Sequence, residues 1–490
     1  MIRGPLLAVE SPSFWGVGVH TNLSNGIWTD PTVRGFLNAT PFRWFRYGTE
    51  TEACNVTANI DYGDNGSPLA GGCAYNVTAF KLWCQGQTPT CHSILPLPGE
   101  NNNSAEDAYI AQWIVHAVGY QPDYWWIGNE PSLWDHYGIP WANWSTADHS
   151  TPTPLAYAVG LRSAIRAVSK VDPGARFIGL ESTSSNDRAW FQEIVRIDGP
   201  LIGAIAYHSY PSGGSTNETL SQFLAPLHGS KNITSTYAAV RSDIAGLCSR
   251  CGTLPIFLHE YNAGPGYAPS NFGGTYANAL FLAASTTQAL KANVSQFSIF
   301  DLQANLTTDG FDGYAMINRS DVVVPTGILF SRLLGHLVLG SVYAAPVTTG
   351  AGGVWSVLTE GPTHATLLVV NTNLSHPLRL RLSSLFINGS RGTVREWYPG
   401  LSLPTNVSGK LASYYVVPIE GMLLVTVLRG SVHGPILGTP PDTESGNAAA
   451  LRAPLTPPVA VGRLSRSHLE GTPADRGWAR TSRLTSESRG

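Results

Sequence analysis

The chain has 490 residues, enough for two or three domains, and 43% of them are hydrophobic, so sizeable cores can form. Only 13% are charged and the net charge is −3, which speaks against a general nucleic-acid binder. No apolar run reaches the about eighteen residues of a membrane helix, so no membrane span is predicted.

From residue 13 to about 335, short apolar strands alternate with longer helical patterns. The strands are predicted at Phe14–His20, Phe42–Tyr47, Ser93–Leu97, Tyr124–Gly128, Ala175–Leu180, Ile202–His208, Pro255–Leu258 and Gln296–Leu302. The clearest helices lie at Ala105–Val118, Leu155–Val171, Ser235–Leu247 and Tyr276–Ala292. Eight strands alternating with helices read as an α/β fold, a (β/α)8 barrel over residues 1–338. The rhythm then changes. Strand patterns at Val354–Thr359, His364–Asn371, Pro377–Leu382, Thr393–Tyr398, Ser413–Pro418 and Met422–Leu428 follow one another with no helix between. They predict an all-β sandwich over 339–430. Residues 431–490 are rich in Pro, Gly, Ser, Thr and Arg, poor in large apolar groups, and read as a disordered tail.

Six cysteines form three neighbouring pairs, and we expect disulfides Cys54–Cys73, Cys84–Cys91 and Cys248–Cys251. A zinc site would need a second close pair or histidine partners, which the spacing does not supply. Fifteen Asn-x-Ser/Thr sequons, from Asn22 to Asn406, point to a secreted or cell-surface glycoprotein. The apolar stretch near Met1 is short for a signal peptide, so either the start lies upstream or export takes another route.

Three strand ends carry chemistry. Tyr124-Trp125-Trp126-Ile127-Gly128-Asn129-Glu130-Pro131 is an apolar strand that runs into Asn-Glu and is stopped by Pro. In a barrel this is the fourth strand, and active sites gather at the carboxyl ends of the strands. A carboxyl leaving a strand beside indoles suits a general acid. Pro255-Ile256-Phe257-Leu258-His259-Glu260 is a second buried strand, the seventh, that ends on a carboxylate. Ile205-Ala206-Tyr207-His208-Ser209-Tyr210 ends the sixth, with His208 and Tyr210 on one face of an extended segment. Each alone also reads as a strand-ending turn. Together, two carboxyls on facing strand ends are the equipment of a retaining glycosidase.

These motifs resemble glycoside hydrolases of clan A, most of all family 79, the heparanase and β-glucuronidase group. Glu-Tyr-Asn at Glu260–Asn262 is similar to families 39 and 51. The resemblance implies Glu130 as acid/base and Glu260 as nucleophile. It implies Asn129 on the sugar 2-hydroxyl and Tyr210 orienting the nucleophile. His208 matches the clan's strand-six histidine. Arg46, in Phe42-Arg43-Trp44-Phe45-Arg46-Tyr47, would help hold the nucleophile. The strand-two segment lacks the Pro-Gly-Gly of many relatives.

The loop after Glu130 holds Trp134, Trp141 and Trp144, whose indoles either stack on sugar rings or pack against the barrel. Trp134 is taken as the sugar-binding one. Asp135 and His136 lie beside it. Glu50, Glu52, Glu100, Glu181 and Asp301 are rival carboxylates, read as substrate contacts or structural hydrogen-bonders. The expected reaction is cleavage of a β-glycoside, preferably a uronide, by double displacement, without metal or cofactor. The expected partner is an oligosaccharide, polysaccharide or glycoconjugate. The alternatives are another sugar within the clan (arabinofuranoside, xyloside or β-glucan) or a non-catalytic sugar-binding surface protein.

Overall fold

The computed structural model describes residues 3–11, 13–19, 27–48, 54–55, 60–61, 77–99, 102–134, 152–212, 217–264, 272–303, 315–318, 320–345, 347 and 352–433. Eight parallel strands close a barrel: Trp15–Val19, Trp44–Tyr47, His92–Leu97, Tyr124–Ile127, Phe177–Ser182, Ala204–Ser209, Ile256–Tyr261 and Gln296–Ile299. The eighth pairs with the first, Phe297 beside Trp15, so no edge is left open. All eight predicted strands are present. Their near-continuous apolar runs arise because both faces are buried. Inside, Ile94, Tyr124, Trp126, Ile178, Ala204, Ala206 and Phe257 form one packed layer, with Trp44 against it. The two alanines of the sixth strand leave room for the large rings.

The four predicted helices appear as Ser104–Gln112, Pro154–Val171, Ile233–Ile244 and Tyr276–Ala292. The first continues as a wider π turn over Trp113–Val118 and ends at Gly119, whose φ of 69° suits glycine. Shorter helices at Pro31–Asn38, Val77–Gln85 and Arg188–Asp198 complete the outer ring. Asp30 caps the first of these by accepting from the amides of Thr32 and Val33.

The second sheet has seven strands, in the spatial order Leu6–Val9, Ser341–Ala344, Val354–Glu360, His364–Asn371, Met422–Leu428, Arg391–Trp397 and Val407–Lys410. Its neighbouring strands are antiparallel. Residues alternate between its faces. Leu367, Val369, Leu423 and Val425 pack against a two-stranded ribbon, Leu378–Arg381 with Tyr414–Val417. Leu368, Val370, Met422 and Leu424 face the other way and join the barrel's core. Tyr276, opening the last long barrel helix, donates to the carbonyls of Trp397 at 3.0 Å and Glu420 at 2.6 Å. The ribbon is thus the thin second layer of the expected sandwich.

Leu6–Val9 lies within the span expected for the barrel, yet pairs with Ser341–Ala344 in the second sheet. Only Ala8 of this strand is buried, which suits an edge position rather than a barrel wall. At the other end, Val432 bridges to Phe386, so Ser431–His433 still belong to the sheet region. The rest of the expected tail lies outside the described residues. Disulfides join Cys84 to Cys91 and Cys248 to Cys251. The expected Cys54–Cys73 pair lies outside the described residues. No helix among the described residues is long and apolar enough to cross a membrane.

Leu424 is fully buried on an inner strand of the second sheet, on the face that joins the barrel's core. Leu424→Ala is expected to remove about 2–5 kcal/mol of stability, read by urea denaturation.

Candidate functional site

Toward the carboxyl ends of the strands the barrel interior turns polar. Strand alternation takes the inward face from Trp44 to Arg46, and from Ala204 and Ala206 to His208 and Tyr210. The fifth and seventh strands break the alternation. Pairing shifts between Ile178 and Glu181, and again between Leu258 and Glu260. Such bulges re-aim side chains, so His259 and Glu260, adjacent in sequence, both reach the interior.

The contacts form one network. Arg46, wholly buried, donates from Nη1 to Glu260 Oε1 at 2.6 Å and from Nη2 to Asn129 Oδ1 at 2.8 Å. Its Nε lies 3.4 Å from Glu181 Oε2, and its guanidinium stacks 4.3 Å over the Trp126 ring. Tyr210 donates to Glu260 Oε2 at 2.7 Å. His208 places Nδ1 at 2.6 Å from Glu130 Oε1 and 3.4 Å from Glu260 Oε2, and Nε2 at 2.9 Å from Glu181 Oε2. His259 bonds Glu181 Oε1 through Nδ1 and Gln296 Oε1 through Nε2, the latter at 3.0 Å.

The fourth-strand loop is held in an uncommon shape. Gly128 has φ 73°, and Glu130 sits in the left-handed region at φ 46°, ψ 54°. A non-glycine residue there stores strain that its surroundings must hold. The Glu130 amide donates to the Glu181 carbonyl at 3.1 Å, and Pro131 opens a short 3-10 turn. Trp134 fills the space beneath. Its Nε1 donates to the Asn129 carbonyl, its ring packs 5.8 Å from Tyr157, and a side chain on Gly128 would meet it at 2.5 Å. Trp134 is completely buried, which corrects its expected place among the sugar-binding residues. The indole is the wedge that shapes the loop, buried among the described residues rather than open at the mouth. Trp141, Trp144, Asp135, His136, Glu50, Glu52 and Glu100 lie outside the described residues.

The other six expected site residues, Arg46, Asn129, Glu130, His208, Tyr210 and Glu260, come together at the barrel mouth. Glu181 and His259 join them. The first was one of the rival carboxylates. The second carries no signal in the sequence, because alternation puts it opposite Glu260. Asp301, another rival, is buried at the end of the eighth strand.

Charge in this network is fixed by its neighbours. Burial opposes ionisation of Glu260, but His208, Arg46 and the Tyr210 hydroxyl outweigh it and hold the carboxyl below its usual range. Glu181 is likewise buried, and His259, Arg46 and His208 hold it well below that range. Burial would discharge His208, yet Glu260, Glu130 and Glu181 push it up to about 10. Burial pushes His259 down, toward the neutral ring.

One oxygen each of Glu130 and Glu260 and one nitrogen of His208 lie within 4.8 Å of one another. Such a donor set can converge on a cation. Here Arg46 already holds Glu260 and a charged His208 has no lone pair to give, so a metal ion would face two positive groups. The same spacing suits different chemistry. Two carboxyls about 5–5.5 Å apart can act one as nucleophile and one as proton donor, whereas about 6.5–9.5 Å leaves room for a water between them.

No protein-family model and no curated protein matches the chain. Solved structures share its fold. AbfB, a family 51 α-L-arabinofuranosidase from Bifidobacterium longum, superposes with a TM-score of 0.64 at 14% identity, over 87% of this chain and 98% of that one. A family 39 enzyme from Xanthomonas axonopodis pv. citri gives 0.56 at 14% identity, over 87% and 98%. CelM2, a bifunctional glucanase-xylanase from a metagenome library, gives 0.58 at 14%, over 87% and 97%. At these identities the likeness is one of fold: a (β/α)8 barrel with a β domain, present in each over nearly its whole length.

Tyr210→Phe removes a hydrogen bond that favours the charged form of Glu260, so the titration midpoint of Glu260 is expected to rise. A bond to a charged group contributes about 1.5–3 kcal/mol to the charged form that it favours. Carboxyl-carbon NMR of the two proteins reads the shift, and an unmoved midpoint would show that Tyr210 does not hold the carboxylate.

Proposed function

We propose that the chain is a retaining glycoside hydrolase of clan A that works by double displacement. The observation that carries this reading is the approach of one carboxylate oxygen of Glu130 to within 4.8 Å of one of Glu260 across the barrel mouth. Glu260, held ionised, attacks the anomeric carbon as the glycosidic C–O bond breaks. Glu130 gives its proton to the leaving oxygen. The glycosyl-enzyme is then hydrolysed by a water whose proton returns to Glu130. Arg46 and Tyr210 hold one Glu260 oxygen each, which fixes the attacking carboxylate. Arg46 also fixes the amide plane of Asn129, the residue assigned to the sugar 2-hydroxyl. The non-catalytic binder predicts carboxyls that are far apart or turned away, so the geometry favours the enzyme.

For the sugar, the resemblance to family 79 points to a β-glucuronide, and charge points elsewhere. The sequence stretches that leave the carboxyl ends of the eight strands are 20–30, 48–76, 98–103, 128–153, 183–187, 210–219, 262–275 and 300–324. They contain fifteen Asp or Glu but one Arg, Arg319, and no Lys. Connecting segments with this balance of charge disfavour a polyanion. The reading favoured here is therefore an uncharged pentoside or hexoside. The names of the structural neighbours, arabinofuranosidase and glucanase-xylanase, run the same way. Secretion and glycosylation remain part of the proposal on the strength of the fifteen sequons.

The test is intact-protein mass spectrometry after treatment with mechanism-based inactivators, one per sugar configuration. One added glycosyl unit, mapped to Glu260, is the expected result. An adduct on another residue overturns the assignment. Glu260→Ala is expected to abolish turnover. Glu130→Ala should lose about 10²–10⁴-fold on poor leaving groups and far less on aryl glycosides with good ones. Turnover of glucuronides in preference to neutral aryl glycosides would reverse the choice of sugar.

A further inference from the structure

We infer that Glu181 is a positioning residue whose fixed charge keeps His208 an imidazolium, so that one cation compensates Glu260 before bond cleavage and Glu130 after it. The inference rests on the reading of Glu130 and Glu260 given above.

The geometry leaves little choice of hydrogen positions. Glu181 is 1% exposed. As a carboxylate it only accepts, so His208 must carry a proton on Nε2 and His259 one on Nδ1. The proton on His208 Nε2 is thereby committed to Glu181, and Nδ1 is the nitrogen turned to both reacting carboxyls, at 2.6 Å and 3.4 Å. A neutral ring could accept the Glu130 proton at Nδ1 but would turn that lone pair toward the Glu260 carboxylate, 3.4 Å away and itself only an acceptor. An imidazolium gives each of them a donor and a positive charge.

The reaction makes use of that placement. Before cleavage Glu260 is the anion and Glu130 carries the proton. In the glycosylation step the Glu260 oxygen forms the bond to the anomeric carbon, the bond to the leaving oxygen breaks, and the Glu130 proton goes to that oxygen. Glu260 is then a neutral ester and Glu130 an anion. The negative charge has moved from one side of His208 to the other while the ring keeps its place and both protons. Hydrolysis reverses the transfer. Glu181 is joined to Glu130 through the backbone as well, since its carbonyl accepts the Glu130 amide. A shift of the fifth strand would therefore move ring and acid together.

The groups that face His208 are Glu130 from the fourth strand's loop, Glu181 from the fifth, and Glu260 from the seventh, with Arg46, Tyr210 and His259 acting on those carboxylates. Glu181→Gln keeps the shape and removes one negative charge. His208 then holds its proton less tightly and loses it at lower pH.

The experiment has two readouts. Nitrogen NMR of histidine-labelled wild-type protein should show His208 doubly protonated at pH 8, and Glu181→Gln should show it titrating below that pH. In parallel, the upper pH limit of kcat/KM should fall by about one unit in Glu181→Gln, a loss of about tenfold above the limit. Glu181→Asp should restore part of the shift. A neutral His208 in the wild type at pH 7 overturns the proposal even if no variant folds. A kcat loss in Glu181→Gln with an unmoved pH limit and an unmoved His208 signal also overturns it, leaving Glu181 a structural residue. A Glu181-dependent imidazolium in a protein that turns over no glycoside would instead overturn the reading of the enzyme.

Discussion

A guanidinium that water does not reach organises this barrel. Arg46 is wholly buried. Removing such a charge from water carries a penalty of several kcal/mol unless partners replace the lost hydration. Here the partners are Glu260, Asn129 and Glu181, with the Trp126 face beneath. Each partner comes from a different strand. The ion therefore ties the second, fourth, fifth and seventh strands at one level, just above the layer that holds Trp126 and Phe257. The carboxylates in turn bring in His208 and His259. None of these groups is tolerable at this depth without the others, so the cluster behaves as a unit rather than as a set of separable contacts.

The cluster also depends on two irregularities in the barrel wall. A regular seventh strand would send either His259 or Glu260 outward, and a regular fifth strand would bring Leu180 to the interior in place of Glu181. The pairing shifts at Ile178–Glu181 and Leu258–Glu260 aim all three side chains inward. Glu130 adds a third local departure, its left-handed backbone wedged by Trp134 and held by the Glu181 carbonyl. Departures of this kind gather where a structure gives up local preference for a placed group.

This explains what could be read from the sequence. The eight barrel strands are legible because strands buried on both faces are apolar runs, and Gly, Pro or polar residues end them. The strand-end carboxyls Glu130 and Glu260 stand out against those runs. His208 and Tyr210 follow from alternation and from the family resemblance, and Arg46 from the resemblance alone. Glu181 shows only as a carboxylate of undecided role, and His259 is hidden because, once Glu260 is taken as inward, alternation turns its neighbour outward and the bulge that lets both face in has no compositional mark. Trp134 misleads for a related reason. A tryptophan beside a catalytic-type motif can stack on a ligand or support the loop, and only the position of its ring over Gly128 decides. Leu6–Val9 pairs with residues more than three hundred positions away, a distance over which local pattern carries no information.

The arrangement of charge itself bears on whether this barrel binds or transforms its ligand. A binding site gains from polar groups that satisfy the ligand and one another, and nothing in that task calls for three carboxylates around one buried imidazole. Burying them together is unfavourable unless each anion has its counter-charge, and replacing such clusters by apolar residues often stabilises a protein. The cluster makes sense where negative charge must pass between two carboxyls while the surroundings stay still. A cation within hydrogen-bonding reach of one and 3.4 Å from the other does that without moving. Dipoles and charges already in place when the transition state forms need no reorganisation, and that preorganisation is the largest electrostatic contribution an active site makes. The instability built into the barrel mouth and the reactivity proposed for it thus have one physical origin: opposed charges held closer together, and drier, than folding alone would favour.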